Sequence, residues 1–151
     1  MQRLKLIAMD ADDLAIVSAH VQDAVARAKD LAFDKASGKF ALALNRYVWE
    51  RDGRITGERR RTPERRRAML HFERVRAVRS TGINREGEQV LSLLALRFTP
   101  AGEEDAAGTV ELTFSGDAAV QLDVECVEAR LTDTDASWAA RGLPDHDDID
   151  D

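Results

Sequence analysis

Apolar and polar positions alternate along this chain in two rhythms, a helical one near the start and a strand rhythm afterwards. Residues 4–9 (Leu-Lys-Leu-Ile-Ala-Met) form a short apolar stretch suited to a strand. Asp10, Asp12 and Asp13 follow, a capping residue and negative charge for a first helical turn. Leu14, Val17, Val21 and Ala24 then recur at three- and four-residue spacing, so a helix is predicted over about residues 11–22. Residues 24–29 fit either a continued helix or the start of a strand.

From residue 31 the pattern is β. Leu31–Phe33 and Phe40–Leu44 flank the turn-like Lys35–Lys39 and predict a hairpin. The second strand continues through Asn45, Arg46, Tyr47, Val48, Trp49 and Glu50. It is largely apolar on both parities, as a central strand would be. Asp52-Gly53 marks its end. Residues 68–79 read as one strand whose apolar parity switches at Glu73-Arg74, predicting a β-bulge there. Ile83–Gly87 is a turn, Val90–Phe98 a strand apolar on both faces, and Pro100–Gly108 a loop. Two clean alternations follow, Val110/Leu112/Phe114 and Val120/Leu122/Val124/Cys126, joined by Ser115-Gly116-Asp117. Cys126 continues the apolar parity and is expected to be buried and inert. Beyond Val127 the sequence fits a helical turn or two through Leu131.

These elements make six or seven strands and one helix. They predict an α+β domain over residues 1–140, built on a mostly antiparallel, strongly bent sheet or partly open barrel, pleckstrin-homology-like, with the helix over one opening. Residues 141–151 are expected to be a disordered acidic tail, since 145–151 hold five aspartates in seven residues.

Charge sharpens this picture. Residues 46–79 carry twelve arginines, no lysine and five acids, a net charge of +7. Residues 101–151 carry fifteen acids against Arg130 and Arg141, a net of −13. No run of eighteen apolar residues exists, so no membrane span is expected. The short apolar patch near Met1 ends at Asp10 and does not read as a signal peptide. A single cysteine excludes an internal disulfide. A cytoplasmic location is the expectation.

Several strings resemble, as a set, a bacterial family known as domain of unknown function 2948: Gln22-Asp23-Ala24, Asn45 to Glu50, Leu70-His71-Phe72, Leu91 to Ala95, Leu122 to Cys126 and Leu131-Thr132-Asp133. The resemblance spans about Leu4 to Trp138. It implies a small single-domain protein and supplies no catalytic residue.

Candidate chemistry therefore comes from the residues themselves. Arg59, Arg60, Arg61, Arg65, Arg66 and Arg67 are placed on an exposed loop or hairpin, where guanidinium groups can pair with phosphate or carboxylate. The competing reading is a solvated surface hairpin. Arg46 and Trp49, with Asn45 and Tyr47, form a polar-aromatic patch fit either to anchor a partner or to cap a barrel end. His71 follows the arginines and could orient an anion or serve as a hydrogen-bonded strand residue. Asp10, Asp12 and Asp13 lack the glycine and closing glutamate of a calcium loop. No metal, cofactor or catalytic set is expected.

Three functions compete. The first is a non-catalytic binding module for an acidic protein surface or a second copy of the chain. The second is nucleic-acid or polyanion binding through Arg59–Arg67, which the chain's pI of about 5.1 weakens. The third is an enzyme of unknown class with a site near Arg46–Trp49. The acidic tail could occupy the arginine loop and mask it in the first two.

Overall fold

The computed structural model of the chain describes residues 4–48 and 64–134. Trp49, Arg59, Arg60, Arg61, the Asp52-Gly53 turn and the acidic tail lie outside the described residues.

The chain opens with strand β1 (Lys5–Ala8) and helix α1 (Ala11–Val21). Asp10 caps the helix, accepting from the Asp13 amide at 2.8 Å, while the Asp13 carboxylate accepts from the Met9 amide at 3.3 Å. These reciprocal bonds satisfy donors that a helix start leaves open. Leu14, Val17 and Val21 form the buried stripe, so the helical spacing in the sequence was a core face.

The ambiguity at residues 24–29 resolves as strand β2 (Val25–Arg27) and a single 3-10 turn. A neighbouring strand, β7 (Val90–Pro100), decides it. Leu93 accepts from the Asp23 amide at 2.7 Å and donates to the Ala24 carbonyl at 2.8 Å. Those groups would otherwise have extended the helix ladder.

β3 (Leu31–Asp34) and β4 (Lys39–Val48) form the expected hairpin. β5 runs Glu64–Phe72 and β6 Val75–Thr81. Two expectations change here. Arg65, Arg66 and Arg67 stand in strand β5 and not in a loop. The parity switch at Glu73-Arg74 is a corner between two strands, with Arg74 at φ +58°. β5 pairs with β4 and β10 (Ala129–Asp133), whereas β6 pairs with β9 (Ala118–Val124). A register shift does occur just beyond the corner, between Val75 and Ala77.

β7 only looked apolar on both faces. A register shift between Leu93 and Ala95 moves the buried parity from Leu91 and Leu93 to Leu96, and leaves Leu94 exposed. The Leu96 amide donates to Ser18 Oγ of α1 at 2.9 Å. β8 (Gly108–Phe114) and β9 form the expected hairpin. β9 stops at Val124, so Cys126 sits half-buried in a bend and not in the buried strand row expected of it. Residues beyond Val127 form β10 instead of a helical turn. Pairing with β1 on one side and β5 on the other overrides local propensity.

The described residues thus hold ten strands where six or seven were expected. β2, β10 and the division at Glu73-Arg74 account for the difference. All pairings are antiparallel, in the order β1-β10-β5-β4-β2-β7-β8-β9-β6, with β3 also on β4. The end strands β1 and β6 do not pair with each other, so the sheet is not closed. α1 packs against β7, β1 and β4. The core between them includes Phe33, Phe40, Phe72 and Phe114, all essentially inaccessible. Among the described residues no helix is long and apolar enough to cross a membrane.

Candidate anion-binding face

Strand register determines which side chains meet. On β4 and β5, Phe40 faces Phe72, Leu42 faces Leu70 and Leu44 faces Ala68, all toward the core. The other parity faces outward: Ala41 opposite His71, Ala43 opposite Met69, Asn45 opposite Arg67 and Tyr47 opposite Arg65. β10 extends this outer row with Arg130 and Thr132, and β1 adds Lys5 and Ile7. Alternation therefore divides the Arg65–Arg67 triplet. Arg65 and Arg67 share the outer face, and Arg66 lies on the other side in register with Arg46.

The two outer arginines are held in place. The Arg65 guanidinium carbon lies 5.3 Å from the Tyr47 ring centroid, a cation–π distance, and its Nη2 is 3.4 Å from the Tyr47 hydroxyl. Arg67 Nη1 donates to Asn45 Oδ1 at 3.4 Å. Among the described residues, Lys5, Arg65, Arg67 and Arg130 form no ion pair with any carboxylate. Among the described residues, no carboxylate compensates these charges on the sheet face.

Between these cations lies a small apolar patch. Ala41, Ala43 and Met69 are buried on the outer side. Beside them a cleft of about 240 Å³ opens, its lining including Val25, Arg27, Asp30, Ala43, Asn45, Arg67 and Val90. It exists because β2 pairs with β4 only at Val25–Asn45, while Ala26 and Arg27 pair with β7 alone. β2 leaves β4 at that point, and the gap between Arg27 and Ala43 is the cleft.

His71 sits half-buried on this face. Burial pushes its imidazole below the ordinary value of 6.5; Lys39 and Arg130 add to that, and Glu73 opposes it. The shift favours the neutral imidazole over the charged one, so His71 adds little to the positive charge of the face. A titration followed by nuclear magnetic resonance is expected to place its midpoint below 6.5. Because the folded value is lowered, the linked stability is fully present above 6.5 and is lost as pH falls through the folded value.

Arg46, expected to share a site with the other arginines, is instead buried on the core side. It makes a two-point contact with Asp133, Nε to Oδ1 at 2.9 Å and Nη2 to Oδ2 at 3.0 Å. Asp133 Oδ2 also accepts from the Leu4 amide at 2.9 Å, and the Asp133 amide donates to the Leu4 carbonyl at 3.0 Å. This cluster pins β1, β10 and β4 together at one end of the core. Burial alone would raise the Asp133 carboxyl, but the Arg46 hydrogen bond, the Leu4 amide and the charges of Arg46 and Arg66 outweigh it and hold it below its usual range. In the sequence Asp133 stands only in the Leu131-Thr132-Asp133 string, with no role attached to it. The signal for its burial is the parity of Ala129, Leu131 and Asp133, visible only if that stretch is read as a strand.

A larger cleft of about 540 Å³ lies at the opposite end of β5, between the β3–β4 turn and the Glu73-Arg74 corner. Its charges are matched internally: Arg74 pairs with Glu128 at 3.3 Å and Glu125 at 3.8 Å, and neighbouring Arg76 with Asp123 at 3.6 Å. Glu73, also in its lining, pairs with Lys39 at 3.6 Å.

Fold and site together define an antiparallel α+β domain with a basic outer sheet face around an apolar cleft. The chain belongs to the family described as Protein of unknown function (DUF2948), which matches residues 4–146 and so agrees with the resemblance carried by the sequence strings. No curated protein and no solved structure among those compared matches the chain.

Proposed function

We propose that this protein is a non-catalytic binding module whose outer β4–β5–β10 face takes an acidic polypeptide partner. The observation that carries the reading is the pairing of Arg65 with Tyr47 and Arg67 with Asn45 on one face, with Arg130 and Lys5 beyond them and, among the described residues, no carboxylate in an ion pair with any of the four. Guanidinium groups fixed by an aromatic ring and an amide lose little freedom on meeting a carboxylate, which favours binding. The cleft beside Ala43, with the exposed Val90 on its wall, gives a partner something to cover besides charge. Arg66 does not join this face, so the cationic row is sparse, and the whole chain is acidic at −6. Both facts favour a local acidic partner over a nucleic-acid backbone. We read the frame as pleckstrin-homology-like, an open antiparallel sheet turning at Glu73-Arg74 with one helix packed against it.

Fluorescence anisotropy with labelled polyglutamate tests this proposal. Binding at about 0.05 M salt is expected to weaken roughly tenfold or more at about 0.5 M. The Arg65→Glu, Arg67→Glu double variant, verified as folded by circular dichroism, is expected to lose roughly tenfold or more of the low-salt affinity. Undiminished binding by that variant would sink the proposal. So would tighter binding of single-stranded RNA than of polyglutamate.

A further inference from the structure

The basic face also has a fitting occupant within this same chain. Residues 145–151 read Asp-His-Asp-Asp-Ile-Asp-Asp, with Ile149 set between Asp148 and Asp150. An aliphatic side chain flanked by carboxylates is the complement of an apolar cleft flanked by arginines. We propose that residues 145–151 dock on the outer face, with Ile149 in the cleft between Arg27 and Ala43 and the flanking aspartates on Arg67 and Arg27. This inference rests on the reading of the face as a site for acidic polypeptide, and it names the segment that occupies the site.

Four observations support it. The first is charge: five aspartates meet a face on which Lys5, Arg65, Arg67 and Arg130 form no ion pair among the described residues. Arg27, the fifth cation, has only a single-point contact with Asp30 at 3.6 Å and is half exposed, so it is free to reorient. The second is position. The Thr134 amide donates to the Arg67 carbonyl at 2.8 Å, so the last described residue is tied to the same arginine that lines the cleft. The third is reach. Ile149 lies fifteen positions beyond Thr134, and a chain spans up to about 3.3–3.6 Å per residue, far more than the breadth of one sheet face. Tethering at that length raises the local concentration of the segment to the order of millimolar, so modest intrinsic affinity suffices for occupancy. The fourth is size. A cleft of about 240 Å³ floored by Val25, Ala43 and Val90 accommodates one branched aliphatic side chain, and the exposed Val90 gains cover when it is filled.

The consequence is competition. An external acidic partner must displace the chain's own segment, so the face is tuned to partners that bind more tightly than it does.

The experiment uses full-length protein throughout. In one variant Asp145, Asp147, Asp148, Asp150 and Asp151 are all replaced by Asn, which removes the segment's charge and leaves the described residues unchanged. Labelled polyglutamate and a labelled peptide of residues 143–151 are titrated against this variant and the parent chain. The Asn variant is expected to bind both probes roughly tenfold or more tightly than the parent, whose site is already filled. In the peptide, Ile149→Ser is expected to weaken binding to the Asn variant roughly tenfold or more, because the cleft is left unfilled.

Equal polyglutamate affinity for the Asn variant and the parent overturns self-docking while leaving the acidic-partner reading intact. An Ile149→Ser peptide that binds as well as the original overturns the placement in the cleft. Absence of any binding to the Asn variant overturns both readings. A peptide bound without polyglutamate upholds self-docking and overturns the broader acidic-partner role.

Discussion

Replacing Asp133 with Ala is expected to destabilise the fold by about 3–5 kcal/mol, because the buried Arg46 guanidinium loses its counter-charge. Two side-chain hydrogen bonds to Arg46 and one from the Leu4 amide disappear together. Arg46 is only 3% exposed, so water cannot replace them without opening the end of the core. Urea denaturation measures the loss directly. The Arg46→Met, Asp133→Leu double variant is expected to recover most of it, since a buried pair exchanged for apolar residues of similar volume is often neutral. If Asp133→Ala alone costs less than about 1 kcal/mol, within the range of exposed pairs, the pair does not clamp β1, β10 and β4 together.

The same carboxylate sets an acid limit. Its folded value is held low by Arg46 and the Leu4 amide against the opposing effect of burial. A depressed carboxylate contributes stability that is present above the unfolded value of 3.8 and is lost as pH falls through the folded value. The double variant is expected to lack this part of the acid slope, which denaturation curves at pH 7 and at acid pH will show.

Gly108→Ala is expected to cost about 3 kcal/mol or more, the upper end for forcing extra volume into a packed site. Gly108 opens β8 directly opposite Pro100 on β7. A Cβ there would fall inside contact distance of the Thr99 carbonyl oxygen, 2.8 Å from Pro100 Cα and 2.9 Å from the Phe98 ring. Two of these obstacles are backbone, so no side-chain rotation relieves them. Gly116→Ala provides the comparison. It meets nothing within 4 Å, and its φ of +75° alone penalises it, by about 1–2 kcal/mol. A thermal melt that ranks Gly116→Ala as the more damaging change would contradict the close packing of β7 on β8.

How far the sequence could be read followed how local each signal was. α1 was legible because its cap, its acidic first turn and its apolar stripe all lie within one stretch of chain. β8 and β9 were legible because one buried face and one wet face leave a period of two. β2 and β10 were not, since both take their conformation from partners far along the chain. β7 seemed apolar on two faces because a register shift moved its buried parity midway, and the shift is held from outside by Ser18 of the helix.

The arginines divide in the same way. Their abundance between residues 46 and 79, the acidity of residues 101–151 and the α+β class with family membership were present in the order of residues alone. Charge says nothing about which face a strand turns outward. Only the β4–β5 register put Arg65 and Arg67 on the outer face beside Tyr47 and Asn45, and only the β10–β5 pairing brought Asp133 to Arg46 across 87 positions of sequence. Short-range patterns determine local conformation because their interactions lie within a turn or a few residues. The partner of a buried charge and the exposed side of a strand depend on hydrogen-bonded register between distant segments, and that is decided when the sheet assembles around its core.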